Sequence, residues 1–241
     1  MNLEPKYKHH AQVNSTNDAA FEMLKENDCI VVTADFQNNG RGRNKKKWLG
    51  NKNENLFYTF GINHQIIEIP VYMFQIIGGL AAFYSLNSIK KNSANFRLKY
   101  PNDVYANGKK IAGIISESNV NQGNCSSIIG IGINNKQVEF SDEIAENAIS
   151  LILLGIEINT SDLVELLTDN IIKMLGMNYN EIFELWKVEL NLNNKEIKII
   201  SEDKNENYYL KNFLEDGRLI LISENGDERI INNGDSIRYK L

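Results

Sequence analysis

Apolar positions recur along the chain with two different periods, and each period predicts a different kind of element. CIVVTADF (Cys29 to Phe36), ENLFYTFGI (Glu54 to Ile62) and SSIIGIGIN (Ser126 to Asn134) are short, nearly continuous apolar runs, the pattern of buried strands. Pro70 opens a long apolar helix running to about Ile89, in which Gly78 and Gly79 allow close packing. DLVELLTDNIIKMLGMNY (Asp162 to Tyr179) has apolar residues at 163, 166, 167, 171 and 175, the spacing of an amphipathic helix. STNDAAFEML (Ser15 to Leu24) has the form of a helix start, with Ser15 or Thr16 as N-cap and Asp18 near the positive end of the dipole.

Between these segments FRLKY (Phe96 to Tyr100) reads as a short strand ended by Pro101. DVYA, the turn Asn107-Gly108 and KKIAGIISES then predict a hairpin, because Asn-Gly between apolar runs favours a two-residue turn. After Trp186 the texture changes. EIKII, YYLKNFL, RLILI, ERII and SIRYK are separated by turn signals at Asp216-Gly217, Asn225-Gly226 and Asn233-Gly234, which predicts a small β-barrel. The expected organisation is α+β: a mixed sheet with helices over residues 1–187, then a β appendage over residues 188–241.

Length and composition change this picture little. The 241 residues suit one sizeable domain, or one plus a small appendage, and 42% hydrophobic with 24% charged residues is ordinary for a globular chain. The formal charge of −5 matters more: the molecule as a whole is not built to hold a polyanion, so any anion must be held by local charge. No apolar run approaches the ~20 residues that span a bilayer. The N-terminal MNLEPKYKHHAQV lacks the apolar core of a signal peptide, so the chain is expected to be cytoplasmic and to have no membrane partner. Cys29 and Cys125 fit neither a metal site nor a disulfide framework. His9, His10 and His64 have no metal partners at useful spacing and read as surface residues.

Four segments carry candidate chemistry. QNNGRGRNKKKW (Gln37 to Trp48) holds five cationic residues in the seven from Arg41 to Lys47. It lacks the third glycine of a dinucleotide-binding fingerprint, where Lys45 stands, and no GK[ST] follows. Alone it is equally an RNA-binding patch or a solvated charge run. Its local physics suits an anion: Gly40 and Gly42 let backbone amides turn toward a ligand, and Arg41 and Arg43 offer planar forks for carboxylate or phosphate oxygens. In KYPNDVYANGKKIAG, Pro101 biases Tyr100 to extended backbone, so Asn102 and Asp103 leave the strand on a rigid elbow; PND is also a common plain turn. Lys110 begins an apolar strand, which sets its ammonium at a strand mouth. NSTND clusters hydroxyls and amides beyond what helix capping uses. GIGIN (Gly130 to Asn134) puts glycines in a buried strand, a mark of close approach, with polar Asn134 at its end.

Taken together, STN, QNNGRGR…KW, KYPNDVY…KKIAG and IGIGIN, in this order and at these distances, closely resemble the biotin–protein ligase family. The resemblance spans roughly residues 7 to 187, and the tail is similar to that family's SH3-like C-terminal domain. It implies that Ser15, Thr16, Asn17 and Gln37 line a biotin pocket, with Gly40, Arg41, Gly42, Arg43, Lys110 and Gly113 also at biotin. It implies that Trp48 stacks near adenine, that Asn102 and Asn134 contact the nucleotide with Arg43 and Lys110, and that Asp103 contacts Mg²⁺ or accepts a proton from the incoming lysine. Lys110, Arg43 and Asp103 are then the catalytic set. The implied reaction joins biotin and ATP into biotinyl-5′-AMP, with Mg²⁺ as cofactor, and passes biotin to a lysine on the biotin carrier domain of a carboxylase.

The chain departs from the family pattern where Lys45 and Lys46 replace a frequent glycine and arginine, and where Tyr100 replaces a frequent tryptophan. It begins almost at the first catalytic strand, so the ligase-only type, without a DNA-binding winged helix, is expected. A lipoate–protein ligase or an octanoyltransferase shares this fold, but the complete KYPND…KKIAG set argues against both. A nucleic-acid-binding module built on GRGRNKKKW is opposed by the net charge and by the absence of interleaved aromatics. A homodimer through a sheet edge is a further expectation.

Overall fold

A computed structural model describes residues 3–43, 47–48, 50–90, 94–121, 124–200, 205–231 and 237–240. The expected turn Asn233-Gly234 and the departures at Lys45 and Lys46 lie outside these residues. Strands β1 (Lys6–His10), β2 (Cys29–Ala34), β3 (Asn55–Asn63), β4 (Phe96–Lys99), β5 (Asp103–Ala106), β6 (Lys109–Asn121) and β7 (Asn124–Asn134) form one sheet in the order β1-β2-β3-β7-β6-β5-β4. β1 runs parallel to β2, and every other neighbouring pair is antiparallel, so the sheet is mixed as expected.

Helix α1 (Thr16–Met23) lies on one face of this sheet, and its Ala20 and Leu24, the residue after its end, pack with Ile30, Val32 and Ile128. Helix α2 (Met73–Ser88) covers the opposite face and packs against α3 (Thr160–Leu175). The twelve buried residues of α2 run all around it, which is why the sequence shows no polar stripe there. Pro70 does not open the helix. It sits in a preceding turn, its carbonyl accepting from the Met73 amide at 2.9 Å. The amphipathic segment expected to reach Tyr179 ends at Leu175, capped by Gly176, and a new helix α4 (Tyr179–Leu190) follows, started by the Asn178 side chain accepting from the Asn180 amide. Position 188 lies within the last turn of α4.

The tail forms an antiparallel sheet of β8 (Glu196–Ile200), β9 (Asn205–Phe213), β10 (Leu219–Ser223), β11 (Glu228–Ile231) and β12 (Ile237–Arg238), with β12 returning beside β8. Ile182, Trp186 and Leu190, four residues apart on α4, bury one stripe against both units. The Trp186 ring lies 6.1 Å from that of Tyr100 and 5.6 Å from that of Phe213, so one aromatic cluster joins the two sheets. Truncating a buried tryptophan of this kind costs about 3–5 kcal/mol. Among the described residues no helix is long and apolar enough to cross a membrane. Both cysteines are free, and no His/Cys/Asp/Glu group able to hold a metal occurs among the described residues.

Candidate active site

Alternation along the strands decides which residues reach the face that α1 leaves open. On β7 the even positions Gly130, Gly132 and Asn134 point there, paired across to Thr59, Phe57 and Asn55 of β3 and, for the two glycines, to Ile115 and Gly113 of β6. The result is a glycine floor under a cavity of about 960 Å³. A Cβ added at Gly113 would stand 2.7 Å from the Trp48 indole, and one at Gly130 would stand 3.0 Å from Asn17 Nδ2. The close approach expected of GIGIN is therefore an approach of side chains, Trp48 and Asn17, to bare backbone.

One end of the cavity is rich in amides and hydroxyls. Val13 pairs with Gln37, and the Asn38 and Asn39 amides donate to Val13 and Asn14 carbonyls, which draws the start of α1 beside the Gln37 segment. Ser15 caps α1, accepting from the Asn17 amide at 3.2 Å. Gln37 Oε1 accepts from the Thr16 amide at 2.7 Å and from Thr16 Oγ1 at 3.0 Å. Thr59 Oγ1 reaches Thr16 Oγ1 at 2.9 Å and Asn17 Oδ1 at 2.7 Å. Ser15, Thr16, Asn17 and Thr59 are all buried, so each polar atom must be satisfied within the network or by a ligand.

The other end is cationic, and a β-bulge makes it so. Asp103 pairs with Gly113 and Val104 with Ala112, but Tyr105 then pairs with Lys110, skipping Ile111. Lys110 and Gly113 are three apart and would face opposite sides of a regular strand. The bulge instead sends Ile111 into the core and Lys110 into the cavity. Lys110 Nζ lies 2.6 Å from Asp103 Oδ1 and 5.5 Å from the Trp48 ring centroid. The backbone of Lys110 is clamped: its amide donates to Asn147 O at 2.7 Å, and its carbonyl accepts from Ile149 at 3.0 Å.

The remaining predicted residues take varied positions. Asn134 Nδ2 donates to Ile149 O at 3.0 Å and Lys110 O at 3.5 Å, so this amide supports the lysine's backbone from the cavity wall. Asn102 Nδ2 donates to Ile114 O at 2.6 Å, leaving Oδ1 to accept from Arg43 Nη1 at 3.3 Å. Arg41 turns away from that end: Nη1 pairs with Asp18 at 2.7 Å and Nη2 with Glu117 at 3.2 Å. Burial lowers the Arg41 pKa, but hydrogen bonds and attraction from Asp18 and Glu117 outweigh it and leave it raised. The loop base is pinned by Trp48 N–H donating to Gly40 O at 2.9 Å and by an Arg41–Lys47 bridge. Gly40 has no room for a side chain, since a Cβ would stand 2.6 Å from Trp48 O. Gly42 lines the cavity.

Several residues that line the cavity or hold its lining carry no motif. Thr59 is the lone hydroxyl-bearing threonine inside the buried run NLFYTFGIN, and Glu117 shares the parity of Gly113 on β6; strand alternation was the available signal for both. Arg97, Lys99 and Tyr105 reach the cationic end from β4 and β5, and Lys99 Nζ donates to Tyr105 Oη at 3.0 Å. Burial, with Asp103 adding to it, raises the Tyr105 pKa. Arg238, Tyr239 and Lys240 line the cavity from the tail, and no sequence signal pointed to them. Tyr239 Oη accepts from the Tyr100 amide at 2.7 Å, beside the cis Tyr100–Pro101 peptide, which fixes the tail against the PND elbow.

The biotin/lipoate A/B protein ligase family matches residues 10–134. The chain is 32% identical over 149 residues to the bifunctional ligase/repressor BirA of Bacillus subtilis, covering 59% of this chain and 45% of that one. It is 30% identical over 153 residues to the biotin–[acetyl-CoA-carboxylase] ligase of Mycobacterium tuberculosis, covering 61% and 54%. The chain thus spans about half the length of these curated relatives. The structure of biotin protein ligase from Aquifex aeolicus in complex with biotin and ATP superposes with a TM-score of 0.72 at 25% identity, covering 98% of both chains. With the match spanning more than half of the sequence and containing most of the cavity's motifs, the chain belongs to the biotin/lipoate A/B protein ligase family.

Proposed function

We propose that the protein is a biotin–protein ligase that activates biotin with ATP and transfers it to a lysine of a biotin carrier domain. The observation that carries this reading is the polarity of one continuous cavity. Amides and hydroxyls of Ser15, Thr16, Asn17 and Gln37 stand at one end, and Lys110, Arg43, Arg97, Lys99 and Arg238 at the other. A ureido ring, with its own donors and acceptor, fits the first end, and a carboxylate meeting a triphosphate fits the second. Trp48, lying on the glycine floor between them, offers an aromatic face to adenine.

In this reading biotin's carboxylate attacks the α-phosphate of ATP, giving biotinyl-5′-AMP and pyrophosphate. Both reactants are anionic, so their repulsion is the obstacle. Lys110 and Arg43 offset it and stabilise the charge developing on the α-phosphate. The carrier lysine then attacks the mixed anhydride and releases AMP, and Asp103, whose carboxylate lies 2.6 Å from Lys110 Nζ, accepts the proton of the carrier lysine. Asp103 Oδ1 is buried without an aligned hydrogen bond. Mg²⁺ is ordinarily held by one or two carboxylates together with substrate phosphates, so a single carboxylate at this position fits an ion arriving with ATP. Bound there, Mg²⁺ would neutralise phosphate charge. The catalytic unit and the tail, meeting near the end of α4, both belong to the working enzyme here, since Arg238 and Lys240 complete the cationic wall.

The test is incubation with ATP, Mg²⁺, biotin and a biotin carrier domain, read by the mass increase of the carrier. Absence of labelling with a carrier that a known ligase labels would overturn the reading. A thermal-shift comparison of biotin with lipoate distinguishes the other branch of the family, because only the preferred ligand stabilises the native state.

A further inference from the structure

Glu117 stands on the cavity face of β6, beyond Gly113 and Ile115, and belongs to none of the motifs. Its Oε2 accepts from Asn17 Nδ2 at 2.6 Å and from Arg41 Nη2 at 3.2 Å. Asn17 comes from α1 and Arg41 from the glycine loop, so one carboxylate oxygen joins three segments remote in sequence. The far end of the Asn17 side chain is equally committed, with Oδ1 facing Thr59 Oγ1 at 2.7 Å. A carboxylate only accepts and a hydroxyl can donate, so the Asn17 amide has one orientation: NH₂ toward Glu117, oxygen toward Thr59. The other arm of Arg41 rests on Asp18 at 2.7 Å. Arg41 therefore serves as a strap between two carboxylates of the body.

We propose that Glu117 is a positioning residue that fixes the Asn17 amide and the base of the glycine loop together, so that the polar end of the cavity and the loop base are set as one unit. Where the ligand is named as biotin, this rests on the ligase reading. The charge balance supports it: Glu117 and Asp18 against Arg41 leave this end net negative, while Lys110 and Arg43 make the far end positive. A ligand with N–H donors at one end and a carboxylate at the other is thereby oriented in a single sense.

The test uses the full chain and the variants Glu117→Ala, Glu117→Gln and Arg41→Ala. Without ligand, hydrogen exchange of the Trp48 amide, which closes the loop base onto Gly40, should quicken about tenfold in Glu117→Ala, the effect of losing one charge-assisted hydrogen bond. The increase should be smaller in Glu117→Gln, which keeps an acceptor, and Ile131 in the sheet centre should be unchanged. Exchange at Trp48 equal to that of the unaltered protein would overturn the proposal. With ligand, KM for biotin should rise about tenfold in Glu117→Ala while KM for ATP stays within about twofold. Glu117→Ala combined with Arg41→Ala should exchange at Trp48 no faster than Arg41→Ala alone, which already loses the contacts to both Glu117 and Asp18, and strict additivity would overturn the strap. If the unaltered protein ignores biotin, the ligase reading fails, yet the exchange measurement still decides the role of Glu117.

Discussion

Replacing Gly132 by alanine tests the glycine floor directly. A Cβ there would stand 2.5 Å from Trp48 Nε1 and 2.8 Å from Cζ2, where ordinary contacts are 3.4–4 Å, so the indole must retreat by about an ångström. It cannot retreat freely, because the Trp48 amide is bonded to Gly40 O at 2.9 Å and its carbonyl fills the space above Gly40. Overpacking of this size costs about 1–3 kcal/mol. Alanine returns roughly 0.4–1 kcal/mol by restricting the unfolded chain, leaving a net loss of about 0.5–2 kcal/mol. For a chain of this size that lowers Tm by about 1–8 °C. In a Trp48→Ala background the clash is gone and only the unfolded-state term remains, so the same substitution should become neutral or stabilising. Urea unfolding of both single variants and the double variant gives the coupling directly. If Gly132→Ala costs the same with and without Trp48, the indole does not rest on Gly132, and the proposed platform for adenine is lost with it.

Three further outcomes are expected. Lys110→Met and Arg43→Ala should each lower adenylate formation by about 10²–10³-fold with the fold retained, and near-normal pyrophosphate release in either would refute its role. Asn134→Leu removes the side-chain donor to the half-buried Ile149 carbonyl and the second donor to the Lys110 carbonyl, so urea unfolding should show a loss of about 1–3 kcal/mol, with slower adenylate formation because the Lys110 backbone is held less firmly. Burial pushes the Cys29 thiol and the Tyr100 hydroxyl each up to about 12. These acids ionise earlier in the unfolded chain, near 9 and 10, so their contribution is complete below about pH 9 and is lost as pH rises to about 12. Each adds a slope of up to about 1.4 kcal/mol per pH unit in that window, and Tyr100→Phe should flatten the profile of urea midpoints.

The motifs brought together by the fold were legible in the sequence because each is local. Asn107 and Gly108 both adopt positive φ, as an Asn-Gly hairpin turn requires, and Ser15 caps the helix predicted to start there. Boundaries were less legible where tertiary packing overrides local preference: the helix after Pro70 begins only at Met73, and the amphipathic segment divides at Gly176 into α3 and α4. Arg41 shows the same limit. Its residue type promises a fork for an anion, yet Asp18 and Glu117, remote in the chain, take both arms.

The sequence by itself determined most of the strands, the mixed α+β class and the set of motifs that identifies the family, since period, turn chemistry and spacing are properties of neighbouring residues; the largely exposed β1 showed no such pattern. Only the tertiary structure decided which polar groups share the cavity. Lys110 faces it because one bulge at Ile111 reverses the parity of β6, and parity is fixed by pairing with β5. Tyr239 and Arg238 reach it because the tail docks on Tyr100. Glu117 matters because Asn17 and Arg41 arrive beside it from elsewhere. Such partners are selected by burial and hydrogen-bond geometry between distant segments, which leave no local pattern to read.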